Sequence, residues 1–224
     1  MCFSATASFS VAAVLFPAGC YAFATAQRMD SKWVPVAIYP IAFSVQQAIE
    51  GMLWIGIGSG NQALISVASL SFLFFSHLFW LAWVPFSVCG FEKDPRHRIL
   101  LVCLSGIGTL FGLSMILPLF YFPDWLAVTQ VNHSLKYEMV LIHDEVVSRP
   151  ILLGFYSFFV ASALLLSSDR RIRVFGGLIA TSLFVTSIIF TYAFISIWCF
   201  FAAILSVYIF AILMVEHRRP SAAI

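Results

Sequence analysis

Apolar residues come in seven long runs, near 8–27, 33–57, 63–90, 98–120, 150–168, 172–190 and 193–215. A helix needs roughly 20 apolar residues to cross the hydrocarbon core of a bilayer. None of the runs shows the strict alternation over about ten residues that marks a membrane strand. The pattern therefore predicts an all-α, polytopic membrane protein: one domain over 1–224, built as a seven-transmembrane-helix bundle. Only Thr191-Tyr192 separates the last two runs, so breaking 172–215 differently gives a six-span alternative.

Composition agrees with this solvent. Of 224 residues, 62% are hydrophobic and 10% charged, with 24 Phe and 6 Trp. Soluble domains carry about 25% charged residues, so this chain is too poor in charge to cover a water-facing surface. The expected location is the cell inner (plasma) membrane, with the lipid bilayer as the main partner.

Charge then orients the bundle. Ten of the twelve Lys and Arg are Arg28, Lys32, Lys93, Arg96, Arg98, Arg170, Arg171, Arg173, Arg218 and Arg219. They occupy alternate connections and the tail, while 58–62 and the 191–192 turn carry no charge. The positive-inside rule places the N-terminus outside and the C-terminus in the cytoplasm. The 121–148 segment becomes an external loop or cap, with a weak hairpin signal around Asn132-His133. The opening MCFSATASF has no basic n-region and reads as a short external lead into the first span.

One stretch breaks the apolar pattern. SVQQAIEGMLW, 44–54, puts Gln46, Gln47 and Glu50 on one helix face, with Trp54 a turn further on. Glu50 is the one acid of ten that falls inside a run. A charge at that depth costs at least about 2.5–3.5 kcal/mol on insertion scales, so it should face the bundle interior. Interhelical hydrogen bonds return only about 0.6 kcal/mol on average, so helix tying alone is a poor reason to keep it. Ser196, Trp198 and Cys199 reach the same depth from the last run, and Tyr192 caps its outer end. Ser76 and His77 stand near mid-membrane in the third run, where His77 is the one span histidine. Cys2 and Ser4 begin on the same side, and residues 2–4 are expected to fold inward. His133 and Tyr137 hang over that end. These residues predict a polar pocket in the outer half of the bundle. The other half offers membrane-edge anchors, with Trp80 and Trp83 near the interface.

Several chemistries are excluded. The lysines, 32, 93 and 136, all lie outside the runs, which removes a Schiff-base site. HExxH and GxSxG are absent, as is a pair of intramembrane aspartates. Zinc hydrolysis wants three protein ligands where only His77 and Glu50 are at depth, and a bis-histidine haem lacks its second histidine. The basic residues are membrane-edge anchors, not a nucleic-acid surface. The five cysteines form no CxxC pair; Cys20, Cys89 and Cys103 are expected to pack as small apolar residues. A Cys2–Cys199 disulfide is a minor alternative to free thiols facing one pocket.

The opening MCFSATASF, QQAIEGMLW, WVPFS, HSLKY, LLLSSDRRIRVFG and AFISIWCFFAA together resemble a family of small bacterial multi-pass membrane proteins, a domain of unknown function. The resemblance runs over nearly the whole chain, and MCFSA is its most specific part. It implies a class and a topology and carries no activity. Three functions follow from the residues. The first is binding or sensing of a small molecule or metal in the outer pocket. The second is a small proton-coupled transporter using Glu50, although no internal repeat appears. The third is an intramembrane enzyme or redox protein using Cys2, Cys199 or His77. The sequence leaves cofactor identity and oligomeric state open.

Overall fold

The structure, a computed structural model, describes residues 4–218. Cys2, Phe3 and Arg219, on which part of the expected site and tail rests, lie outside the described residues. With Cys2 outside, neither the free thiols expected to share one pocket nor the minor alternative of a Cys2–Cys199 disulfide falls within them.

Every expected apolar run is helical. Ser4 caps α1 (Ala5–Met29), its hydroxyl accepting from Ala7 N at 3.3 Å. A 3-10 turn leads into α2 (Val34–Ser59), which ends on Gly60 in the left-handed region at φ 66°. The third rod is α3 (Gln62–Leu73), a π-helical turn over Phe74–Phe79, and α4 (Trp80–Val88). Next come α5 (Pro95–Tyr121), α6 (Arg149–Leu165) and α7 (Arg170–Ile189). A 3-10 turn at Thr191–Ala193 then starts the last rod, α8 (Phe194–Leu205) and α9 (Val207–His217).

Five rods are long and apolar enough to cross a membrane: Ala5–Met29, Gln62–Phe91, Pro95–Tyr121, Arg170–Ile189 and Thr191–His217. The other two depart for different reasons. Helix α2 has 26 residues, but Gln46, Gln47 and Glu50 dilute its apolar character. Helix α6 is apolar but has only 17 residues.

The expectation of an all-α chain needs one correction. Between α5 and α6, β1 (Leu126–Val131) and β2 (Ser134–Met139) form an antiparallel pair running from Leu126↔Met139 to Val131↔Ser134. Asn132 and His133 make the turn, at φ 47° and 58°. Two successive positive φ values match the right-handed twist of the strands they join. The weak hairpin signal around Asn132-His133 thus marks a formed hairpin.

Close backbone approach holds the rods together. A Cβ on Gly108 would lie 2.5 Å from Leu81 O, and one on Gly112 2.5 Å from His77 O, so only glycine lets α5 lie against the third rod there. Gly176 does the same between α7 and α6, where a Cβ would meet Leu164 at 2.7 Å. Cys89 is buried as expected, but Cys20 and Cys103 are exposed on the outside of the bundle. Those two pack against nothing inside because their helix faces point away from the core.

At the basic end, polar contacts stitch the connections. Arg171 pairs with Asp169 at 2.8 Å and Glu216 at 2.6 Å, and its guanidinium lies 4.6 Å from the Trp33 ring centroid. Glu92 accepts from Ser168 N at 2.7 Å and Ser168 Oγ at 2.6 Å.

Candidate functional site

The polar triplet of α2 faces inward. Gln46, Gln47 and Glu50 are buried, while Val45, Met52 and Ile55 of the same helix are exposed. The ring of Phe9 packs over Gly51, bringing the first turns of α1 to this level. Gln47 Nε2 donates to Glu50 Oε2 at 3.3 Å, and Ser196 Oγ of α8 donates to Oε1 at 2.5 Å. Gln46 Oε1 accepts from Trp80 Nε1 at 2.8 Å. The Gln46 amide nitrogen has the Cys199 thiol beside it and no nitrogen or oxygen partner.

Trp80 therefore corrects an expectation. It is not an interface anchor but a buried ring stacked on Phe43 with centroids 4.0 Å apart, its N–H spent on Gln46. The π turn just before it continues the third rod into the core. Trp83 stays near the basic end, donating to Pro35 O at 3.0 Å.

The hairpin closes the opposite end. Tyr137 stacks on Phe72 at 5.1 Å, and its hydroxyl is buried without a partner. Burial holds its phenol well above the ordinary range, and the neighbouring Glu50 and Cys199 push it the same way. Tyr137 thus brings the hairpin to the polar layer formed by α2 and α8.

Beside this layer lies a cavity of about 480 Å³, within the range of small-molecule sites. The π turn, β2, the start of α6, the end of α7 and the start of α8 surround it. Its walls are mainly apolar: Met115, Met139, Leu152, Phe194 and Ile195, with the rings of Tyr156 and Trp198. Those rings meet edge to face at 5.5 Å. The Tyr156 hydroxyl and Trp198 indole N–H are sealed in the protein without partners.

Most polar side chains on the wall are committed. Arg149 at the rim pairs with Asp144 at 2.6 Å and donates to Met139 O. Ser187 donates to Phe184 O at 2.8 Å, and Thr191 to Ser187 O at 2.9 Å. His77 is different. Its Nδ1 is 2.9 Å from Ser76 Oγ, and Nε2 has no partner among the described residues. Nor is Nε2 among the buried unpartnered atoms, so it is presented to the cavity. The π turn that contains Ser76 and His77 is a distortion often found at functional positions.

The structure divides the sequence-derived candidates. His77, Trp198 and Cys199 line the cavity. Gln46, Gln47, Glu50 and Tyr137 form the polar layer behind it. Trp54 is half-buried, packed against the core cluster around Leu53 and Phe72. Tyr192 packs on Phe190 at 6.5 Å, and Ser4 is occupied as a helix cap. His133 sits exposed at the hairpin turn, away from the cavity, because β-pairing turns that position into the tip. Sequence reasoning missed Tyr156, Arg149 and the inward role of Trp80. A lone tyrosine within the apolar run 150–168 was the available signal for Tyr156.

Among the described residues, no group of three or more His, Cys, Asp or Glu stands close enough to hold a metal ion. The family model described as a family of unknown function, DUF6629, matches residues 1–223. The chain belongs to this family. No curated protein and no solved structure matches it. In this DUF6629 member the cavity lies against the buried polar layer of α2 and α8.

Proposed function

We propose that this protein is a seven-span integral membrane protein that binds or senses a small molecule in the cavity beneath its hairpin. In this reading 1–224 form one domain in the inner membrane. The hairpin end lies outside and the Arg171–Glu216 end in the cytoplasm, following the alternation of basic residues. The 17 residues of α6 are accommodated because its start sits under the hairpin instead of reaching the far surface.

One observation carries the binding reading: a mainly apolar cavity of about 480 Å³ has the uncommitted nitrogen of His77 on its wall. Apolar walls with a few polar groups are what small-molecule sites offer. Glu50 does not line the cavity and is held by Gln47 and Ser196, which favours binding over a carrier built on that acid. His77 Nδ1 is engaged by Ser76 and Cys199 by Gln46, and no hydrogen bond between His77 and Cys199 is seen among the described residues, so nothing favours a nucleophile–base pair over binding.

The test is a plugged cavity. Ser187→Trp introduces a large ring at the wall. Wild type and variant, reconstituted in nanodiscs and matched in melting temperature, are extracted and their small molecules profiled by mass spectrometry. A compound retained by wild type and missing from the variant is the expected result. Identical inventories, including empty ones, would overturn the reading.

A further inference from the structure

Helices α1 and α9 run side by side in the same direction and finish together at the basic end. Trp33, just past α1, lies against the Arg171 guanidinium, which in turn pairs with Glu216 near the close of α9. Further back, the Tyr21 and Phe210 rings meet edge to face at 6.3 Å. An open groove of about 660 Å³ runs between the two helices on the outside of the bundle. It shares no residue with the cavity beneath the hairpin. The short side chains of Ala18 and Ala211 keep it shallowly filled, and Tyr21, Phe210 and Met214 give it apolar walls.

Charge closes one end of this groove. Arg218 lines it, on the same helix as Phe210 and about 12 Å further along at 1.5 Å per residue. Arg28 lies two turns beyond Tyr21 on the same face of α1, about 10 Å along. The two arginines therefore reach one level. Both are exposed, and neither guanidinium has a hydrogen-bond or ion-pair partner among the described residues. The acids nearest them in sequence are engaged elsewhere: Asp30 pairs with Lys32 at 2.9 Å and Glu216 with Arg171 at 2.6 Å. From Pro17, at the other end of the groove, to Arg28 is about 16 Å of helix. That is about half the hydrocarbon thickness of a bilayer, the depth of one leaflet.

We infer that this groove binds an anionic phospholipid, with its phosphate between Arg28 and Arg218 and an acyl chain lying past Tyr21 and Phe210. An arginine fork offers paired N–H donors that match phosphate oxygens. In the topology proposed above, the site faces the cytoplasmic leaflet, whose surface anionic lipids make negative. A second copy of the chain fits the groove poorly. A two-fold contact that keeps both copies in one membrane orientation would set these arginines against their own images, and like charges so placed oppose association.

The experiment is native mass spectrometry of the full chain in detergent, with phosphatidylglycerol and phosphatidylcholine of matched chains. Wild type is expected to carry one phosphatidylglycerol, bound about thirtyfold more tightly than phosphatidylcholine, or about fivefold for each arginine. Arg28→Gln with Arg218→Gln should bring phosphatidylglycerol down to the phosphatidylcholine level and leave phosphatidylcholine unchanged. Arg96→Gln with Arg98→Gln removes two exposed arginines elsewhere at the basic end and should alter neither lipid. Ala211→Trp fills the groove, keeps both arginines and should release both lipids. Glycerol phosphate, which has the anionic group without the chains, should displace nothing. The wild-type preference needs no variant, so its absence alone would overturn the inference. So would equal losses from the two arginine pairs, phosphatidylglycerol retained by Ala211→Trp, displacement by glycerol phosphate, or a wild-type dimer that Ala211→Trp dissolves.

Discussion

Ser196 donates to Glu50 at 2.5 Å, tying α8 to α2 across 146 positions of sequence. With Gln47 on the second carboxyl oxygen, the acid has a partner for each oxygen in a place where water does not reach. Glu50→Gln should therefore fold almost normally. Its carbonyl still accepts from Ser196, and Gln47 can flip to present the Oε1 that now lacks a partner. Glu50→Leu leaves Ser196 and Gln47 unpaired and should cost about 2–6 kcal/mol, at about 1–3 kcal/mol for each of the two stranded groups. Ser196→Ala should cost about 1–2 kcal/mol. Denaturant titration in detergent checks the order Gln, Ala, Leu; a Leu variant as stable as Gln would mean the polar layer holds nothing together.

The hairpin turn offers a sharper local test. Asn132 and His133 both have positive φ, which a histidine tolerates poorly. His133→Gly should raise hydrogen-exchange protection at Lys136 and Glu138, whose amides face Thr129 and Ala127 in the bonded pairs of the ladder, about threefold to fivefold, for about 0.5–1 kcal/mol once glycine's own entropy cost is set against the relieved strain. Asn132→Val, with a branched Cβ, should lower it. Because His133 is remote from the cavity, neither change should alter ligand retention.

Acid should loosen the basic end. Burial pushes the Asp169 carboxyl up, but the hydrogen bonds and charge of Arg171 outweigh it and hold the group below its usual value. A depressed carboxyl stabilises the fold above its unfolded pKa, near 3.9, and that contribution is lost as pH falls through the lower folded value. Wild type should melt at a lower temperature below about pH 4, whereas Asp169→Asn starts lower at neutral pH and falls less. Parallel pH curves would mean the Asp169–Arg171–Glu216 contacts contribute nothing.

Topology can be read with reporter fusions after Arg28, Gly60, Arg96, Ser134, Arg173 and Arg219. The expected sides are in, out, in, out, in, in, because basic residues cluster at the connections assigned to the cytoplasm. An external signal at Arg173 would break the seven-span arrangement.

The sequence by itself determined the class, the helical runs and the outlier within them. Each run was legible because lipid solubility is a local, additive property of side chains. The Gln46–Gln47–Glu50 face was legible because the cost of an acid in lipid does not depend on its neighbours, and the Asn132-His133 turn because its backbone demand is short-range. Only the tertiary structure decided which of these polar residues share a space. Ser196 and Cys199 reach α2 from the far end of the chain, and Trp80 turns inward through a π turn that no periodicity announces. His77 meets the cavity while Glu50 stays behind it. Such choices depend on how α5 closes on the third rod through Gly108 and Gly112, and on how α6 and α7 meet at Gly176. They are properties of pairs of helices, and a single helix's pattern contains no information about its partner's face.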